Sequence, residues 1–208
     1  MGVPVKVWLG GEGRNELGGR GDVPPTERCG VIEALLRRVE SDGWRVFGCT
    51  RWDQIVKYRA GVGGAEERNV LGLILRAAEE RVEAVAFARD VDSDPDRAKK
   101  IEAAIEKAAS IIKPPVPIVI IGGPAKPALE GWVLALHGVR DTDDMSRPRT
   151  RDLLVERGIE PKKTDGYVEV IDKADLGALP PGCESLRRWL DRAKQLTVLV
   201  HGVAPGAH

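Results

Sequence analysis

The sequence has little cysteine, and none of it is paired for chemistry. Cys29, Cys49 and Cys183 are odd in number, widely scattered and free of any Cys-x-x-Cys spacing. That argues against a disulfide framework and against structural zinc, and a reducing cytoplasm is the simple reading. Long apolar runs are also lacking: nothing approaches the roughly 20 apolar residues that a membrane span needs. The start of the chain goes straight into a strand pattern, without the basic-then-apolar order of a secretory signal, so no leader is expected. Excess charge of either sign is missing, because 32 basic residues balance 32 acidic ones. A protein that grips nucleic acid alone usually carries a basic surplus. Its absence does not exclude a nuclease, since acidic metal ligands offset basic contacts. It does imply weak binding alone, or a partner that supplies affinity. No internal repeat and no low-complexity tract is present.

What is there reads as one sizeable globular domain of strands alternating with helices. Residues 5–11 are expected to form a buried strand, and 12–30, rich in glycine, proline and charge, a long loop beside the site. Apolar spacing predicts a helix over Val31 to Glu40, and Trp44 to Cys49 reads as a second strand. Residues 65–81 are expected to be helical and Val82 to Ala88 a third strand. Pro95 to Ile112 reads as a helix with Pro95 in its first turn and Pro114-Pro115 stopping it. Val116 to Ile121 is a continuous β-branched run of the kind buried on both faces. Pro127 to His137 is expected to be a short helix. Beyond residue 138 the pattern weakens. Arg147 to Arg157 and Glu184 to Gln195 look helical, and Leu196-Thr197-Val198-Leu199-Val200 reads as a last strand. The expected organisation is a catalytic domain over residues 1–140, with 141–208 an extension packed on it.

Two acidic motifs sit where buried strands run out. The first is Val7-Trp8-Leu9-Gly10-Gly11-Glu12-Gly13-Arg14-Asn15-Glu16, the second Phe87-Ala88-Arg89-Asp90-Val91-Asp92. Ligand sites in open α/β sheets lie outside the carboxyl ends of the strands. Carboxylates gathered there hold a hard divalent cation or perform acid–base chemistry. Mg²⁺ takes one or two carboxylates, with waters and phosphates completing its shell, and Glu12 and Asp90 can supply them. Asp92 can reach the same ion or a second one. Asp94 is better explained as the cap of the helix that Pro95 opens, with Asp96 in its first turn. An EF-hand loop beginning at Asp90 fails, because its sixth residue is Pro95 and its twelfth Ile101. Trp132 reads as core, and His137 and His201, without spaced partners, as structural or exposed.

Glu12-Gly13-x-x-Glu16 after one strand and Asp90-x-Asp92 after a later one resemble the Toprim domain of topoisomerases, primases and OLD-family nucleases. The segment Leu129-Glu130-Gly131-Trp132-Val133-Leu134-Ala135 is similar to a stretch of small bacterial Toprim-like proteins. The resemblance covers residues 5–137, and the remainder weakly. It implies a Toprim-like, Rossmann-like parallel sheet flanked by helices, with a small C-terminal helical extension. It also implies that Glu12 is a metal ligand or general base, that Asp90 and Asp92 hold Mg²⁺ or Mn²⁺, and that Glu16 and Glu130 serve a second metal. The activity it implies is cleavage or nicking of nucleic acid, DNA above all, in bacterial defence with an ATPase partner. The chain departs from the pattern at Gly10-Gly11, where an apolar residue is commoner.

Basic residues are the other ingredient, since the planar fork of arginine bonds phosphate bidentately. Arg14, Arg20 and Arg89 flank the acidic motifs, and Lys162-Lys163 form a pair further on. All five are candidates for phosphate contact, and Arg147, Arg149 and Arg151 form an alternating cluster. Two rival readings stand. One is a haloacid-dehalogenase-type phosphatase with Asp90 as nucleophile, although that motif normally lies on the first strand and leaves Glu12 unexplained. The other is a non-catalytic partner or regulatory subunit with a vestigial acidic cluster.

Overall fold

The structure, a computed structural model, describes residues 3–22, 26–59, 63–92, 94–113 and 117–202. Four strands form one sheet: β1 (Val5–Gly11), β2 (Trp44–Arg51), β3 (Ala84–Asp90) and β4 (Val119–Ala125). All are parallel, in the order β2-β1-β3-β4. The helices are α1 (Arg14–Leu17), α2 (Val31–Val39), α3 (Ala65–Glu79), α4 (Pro95–Ile111), α5 (Leu129–Leu136), α6 (Arg147–Glu156), α7 (Thr164–Lys173) and α8 (Glu184–His201). The arrangement is Rossmann-like α/β, as the alternation of strand and helix patterns predicts. Among the described residues, no helix is long and apolar enough to cross a membrane.

β1 and β3 lie at the centre with both faces covered, which is why each reads as an apolar run instead of an alternation. On one face Val7, Leu9, Ala84, Ala86 and Ala88 meet residues of α2, α5, α7 and α8. On the other, Trp8, Val85 and Phe87 meet α3 and α4. The alanines of β3 keep its surface low, so the first helical layer packs close to the sheet. β1 slips register against β2 between Val7 and Trp8, passing over Phe47. Gly48 makes the slip possible: a Cβ there would stand 2.4 Å from the Trp8 ring. The start of α4 is as expected. Asp94 accepts from the amides of Asp96 at 3.1 Å and Arg97 at 3.2 Å, with Pro95 the first helical residue.

Several expectations need correction. The loop over 12–30 is partly ordered into α1 and a 3₁₀ turn at Gly18–Gly21; Val23-Pro24-Pro25 lie outside the described residues. β3 runs on to Asp90, so that aspartate ends the strand instead of following it. β4 begins at Val119, whereas Val116 and the proposed stop at Pro114-Pro115 lie outside the described residues. Residues 196–200 are no strand: they are the last turns of α8. Leu186, Trp189, Leu190, Ala193 and Leu196 are all buried along one helical stripe, and packing of that stripe overrides the β preference of the valines and threonine that continue it. α7 is an addition to the expected elements: Tyr167 and Ile171 are its buried apolar anchors, with Val168 and Val170 half-buried beside them.

The C-terminal helices share one hydrophobic core with β1 and β3, through Leu154, Tyr167, Ile171 and Trp189. α8 covers the β4 edge. Its Trp189 indole donates to the Phe87 carbonyl at 2.9 Å and packs on Trp132, ring centres 5.8 Å apart. This packing brings the start of α6 to the carboxyl ends of β1 and β3.

β1 leads into α1 with very little room. A Cβ on Gly11 would stand 2.4 Å from the Cβ of Glu16, whereas one on Gly13 would meet nothing within 4 Å. Gly11→Ala should therefore destabilise by about 1–3 kcal/mol, as overpacking does. Gly13→Ala should cost under about 1 kcal/mol, the size of a lost N-cap preference. Denaturant melts of the two variants check this, and equal losses would refute the close packing of β1 on α1.

Candidate active site

Glu12 is the first residue past β1 and Asp90 the last of β3, and these two strands are neighbours, with Gly10 level with Phe87. The geometry brings the two acids together as their positions predict. The Asp90 amide donates to Glu12 Oε1 at 3.2 Å. The same oxygen takes a hydrogen bond from Arg89 Nη1. Arg89 also pairs with Glu66 at 2.9 Å, and its guanidinium lies 5.3 Å from the centre of the Trp52 ring. Held on three sides, Arg89 is a fixed part of the wall rather than a free phosphate contact.

Asp90 is only 5% exposed. Its Oδ1 accepts from the Leu129 amide at the start of α5, at 2.8 Å, and its Oδ2 meets Arg147 Nη2 at 3.0 Å. Burial, then the charges of Glu12, Glu16 and Glu130, push its carboxyl up to about 8, with the Leu129 amide pulling the other way. Asp92 has left the strand, with φ of 54°. Its backbone is held by Pro127, whose carbonyl accepts from the Asp92 amide at 2.7 Å. Its Oδ2 meets Arg97 Nη1 at 2.8 Å, and its Oδ1 is bonded by Arg147 Nη1. One guanidinium, that of Arg147, thus bridges both aspartates.

Glu16 is buried and accepts from the Gly13 amide at 2.9 Å. Burial raises its carboxyl above the usual range, the local amides oppose this, and Glu12 and Glu130 add to it. Glu130 is buried in the first turn of α5. Among the described residues it has no ion-pair partner. Glu12, Glu16, Asp90 and Glu130 line one cleft of about 310 Å³, together with Arg14, Arg147, Arg151 and Lys162. Four carboxylates from three segments and four cations therefore face one space.

Not every expected residue is there. Arg20 binds Glu33 of α2 at 2.9 Å and 3.1 Å through two nitrogens and closes the loop onto that helix. Lys163 pairs with Glu160 and lines a different depression, beside His137 and Lys173. Arg14 is at the cleft but pairs with Asp22 at 2.9 Å. Arg147 and Arg151 belong to the alternating arginine cluster of the sequence, whereas Arg97 and Glu66 lie outside the expected site residues. The spacing of Arg147 and Arg151, one helical turn apart, was the available signal. Arg149 lies off that face and pairs with Glu156 at 3.1 Å.

The donors suit a hard divalent cation in kind, since all are carboxylate oxygens. In arrangement they form no ready cage: among the described residues, no three of histidine, cysteine, aspartate and glutamate converge as metal ligands. Arg89 holds Glu12, and Arg147 holds Asp90 and Asp92. Set against known protein families, curated proteins and solved structures, the chain has no match.

Folding raises the Asp90 carboxyl from 3.8 to about 8. The folded state then binds this proton more tightly than the unfolded state. The stability it contributes is full below about pH 4 and is lost as pH climbs towards about 8. In EDTA, Asp90→Asn should therefore gain in melting temperature relative to the native protein between about pH 5 and about pH 8. A difference that stays constant with pH would contradict the burial of Asp90.

Proposed function

We propose that the protein is a divalent-cation-dependent phosphodiesterase that cleaves or nicks nucleic acid, DNA first, in the manner of the Toprim-like nucleases it resembles. The observation that carries the reading is the side-by-side placing of Glu12 and buried Asp90 at the carboxyl ends of the two central strands, with their charges crowded by Glu16 and Glu130. Such crowding is relieved by a cation. Mg²⁺ or Mn²⁺ bound there would polarise a phosphoryl oxygen and neutralise charge that develops on it.

The chain's own residues would do the rest. Asp90 and Asp92 present oxygens at the rim of the sheet, with Glu16 and Glu130 behind them for a second ion. Glu12, at the strand end, accepts the proton of an attacking water as its oxygen bonds to phosphorus. The opposite ester P–O bond breaks, and the leaving oxygen takes a proton from solvent. Arg14, Arg151 and Lys162 reach the same cleft and suit the phosphate backbone. Zero net charge fits a protein that works with a partner, an ATPase in the defence systems that the resemblance suggests. The three free cysteines fit a reducing cytoplasm. The phosphatase alternative gains little, because it leaves Glu12, whose carboxylate meets the Asp90 amide, without a role. The non-catalytic reading has one observation in its favour: the arginines that neutralise Glu12, Asp90 and Asp92.

Supercoiled plasmid with Mn²⁺ or Mg²⁺ separates these readings. Nicking should appear and stop in EDTA. Glu12→Ala and Asp90→Ala should each lower it by about a hundredfold or more, the scale seen when metal-site residues are disturbed. Asp96→Ala, an exposed residue of the α4 start, should leave it intact. Glu12→Ala and Asp96→Ala each remove one negative charge, so an effect of charge alone on DNA binding would move those two together. Equal behaviour of the three, or nicking that survives EDTA, would return the protein to the non-catalytic reading.

A further inference from the structure

The aspartates offer few free oxygens. On Asp90, Oδ1 is held by the Leu129 amide at 2.8 Å, which leaves Oδ2. On Asp92, Oδ2 is held by Arg97 at 2.8 Å, which leaves Oδ1. Arg147 sits on both oxygens that remain, Nη2 on Asp90 Oδ2 at 3.0 Å and Nη1 on Asp92 Oδ1. A hard cation at about 2.0–2.1 Å from those same oxygens would stand against the positive charge of the guanidinium, so the two compete there. We propose that Arg147 is an exchangeable cation of the site: it holds Asp90 and Asp92 until a divalent ion takes them, and the freed guanidinium then grips a phosphate of the substrate. This rests on the reading of the acidic cluster as a divalent-cation site.

Three further observations support the exchange. Arg147 can move: its side chain is 34% exposed, against 14% for Arg89, which is clamped between Glu12, Glu66 and Trp52. Its present pose is imperfect, because its buried Nε–H finds no acceptor among the described residues. The bridge is therefore paired at one end of the guanidinium and unsatisfied at the other. Its surroundings suit phosphate, since Arg151, one turn along α6, and Lys162 open onto the same cleft. The fork that fits two carboxylate oxygens fits two phosphate oxygens equally well.

The two halves of the exchange predict opposite effects of one substitution. Mn²⁺ binding is measured by titration calorimetry, and binding of a short labelled DNA strand by fluorescence anisotropy with Ca²⁺ in place of Mn²⁺. Arg147→Ala should bind Mn²⁺ about tenfold more tightly, having lost its competitor, and the DNA strand about tenfold more weakly. Arg147→Lys, which keeps the charge and loses the fork, should fall between the two in both measurements, and it carries the test if the alanine variant fails to fold. Arg149→Ala, whose side chain pairs with Glu156 away from the cleft, should change neither. Mn²⁺ bound by the Arg147 variants and not by the native protein would support the exchange. Mn²⁺ bound by the native protein and no more tightly by the variants would overturn the exchange alone, as would unchanged DNA affinity. Binding by none of them would overturn the exchange and the cation-site reading together.

Discussion

Asp90 places a carboxylate at the inner end of a central strand, out of water and beside three other acids. Burial and those acids push its carboxyl up to about 8, and polar atoms buried this deeply need hydrogen-bond partners. The Leu129 amide and Arg147 are what make the position tolerable. That requirement organises much of the molecule. α5 must begin where its first amides point at Asp90. α6 must begin with Arg147 over the strand ends, capped by Ser146. Tyr167 and Ile171 of α7 and the Trp132–Trp189 pair hold those helices in place against the sheet. The C-terminal third of the chain is therefore part of the site, although it contributes few of its acids.

The same constraint explains the arginines. Arg89, Arg97 and Arg147 join Glu12, Glu66, Asp90 and Asp92 into one connected set of ion pairs. Surface pairs of this kind contribute little, but these are largely shielded from solvent and act as a network. Glu16 and Glu130 stand outside it without a guanidinium of their own. Both lack an ion-pair partner among the described residues, so they are the carboxylates that an added cation could take without displacing an arginine.

The central strands were legible in the sequence because burial on both faces leaves a continuous apolar run, as in Val85-Ala86-Phe87-Ala88. Helix α2 is legible from its apolar spacing, and α4 from Pro95 in its first turn. Leu196 to Val200 looks like a strand when read locally because Thr197, Val198 and Val200 are β-branched, and only the buried stripe back to Leu186 reveals the helix. Of the site, Glu12 and Asp90 are readable from their places at strand ends, Glu16 and Glu130 only through the resemblance, and all four share one cleft. Which basic residues join them was not readable. Arg20 and Arg147 look alike in a linear chain, and tertiary packing gives one to Glu33 and the other to Asp90 and Asp92.

The most direct test of this account is a crystal of the protein soaked in Mn²⁺, with diffraction recorded at the manganese absorption edge. The account predicts an anomalous peak among Glu12, Asp90 and Asp92, with the Arg147 side chain turned away from both aspartates. An absence of manganese there, with Arg147 still bridging Asp90 and Asp92, would contradict it and leave the acidic cluster as a structural ion-pair network.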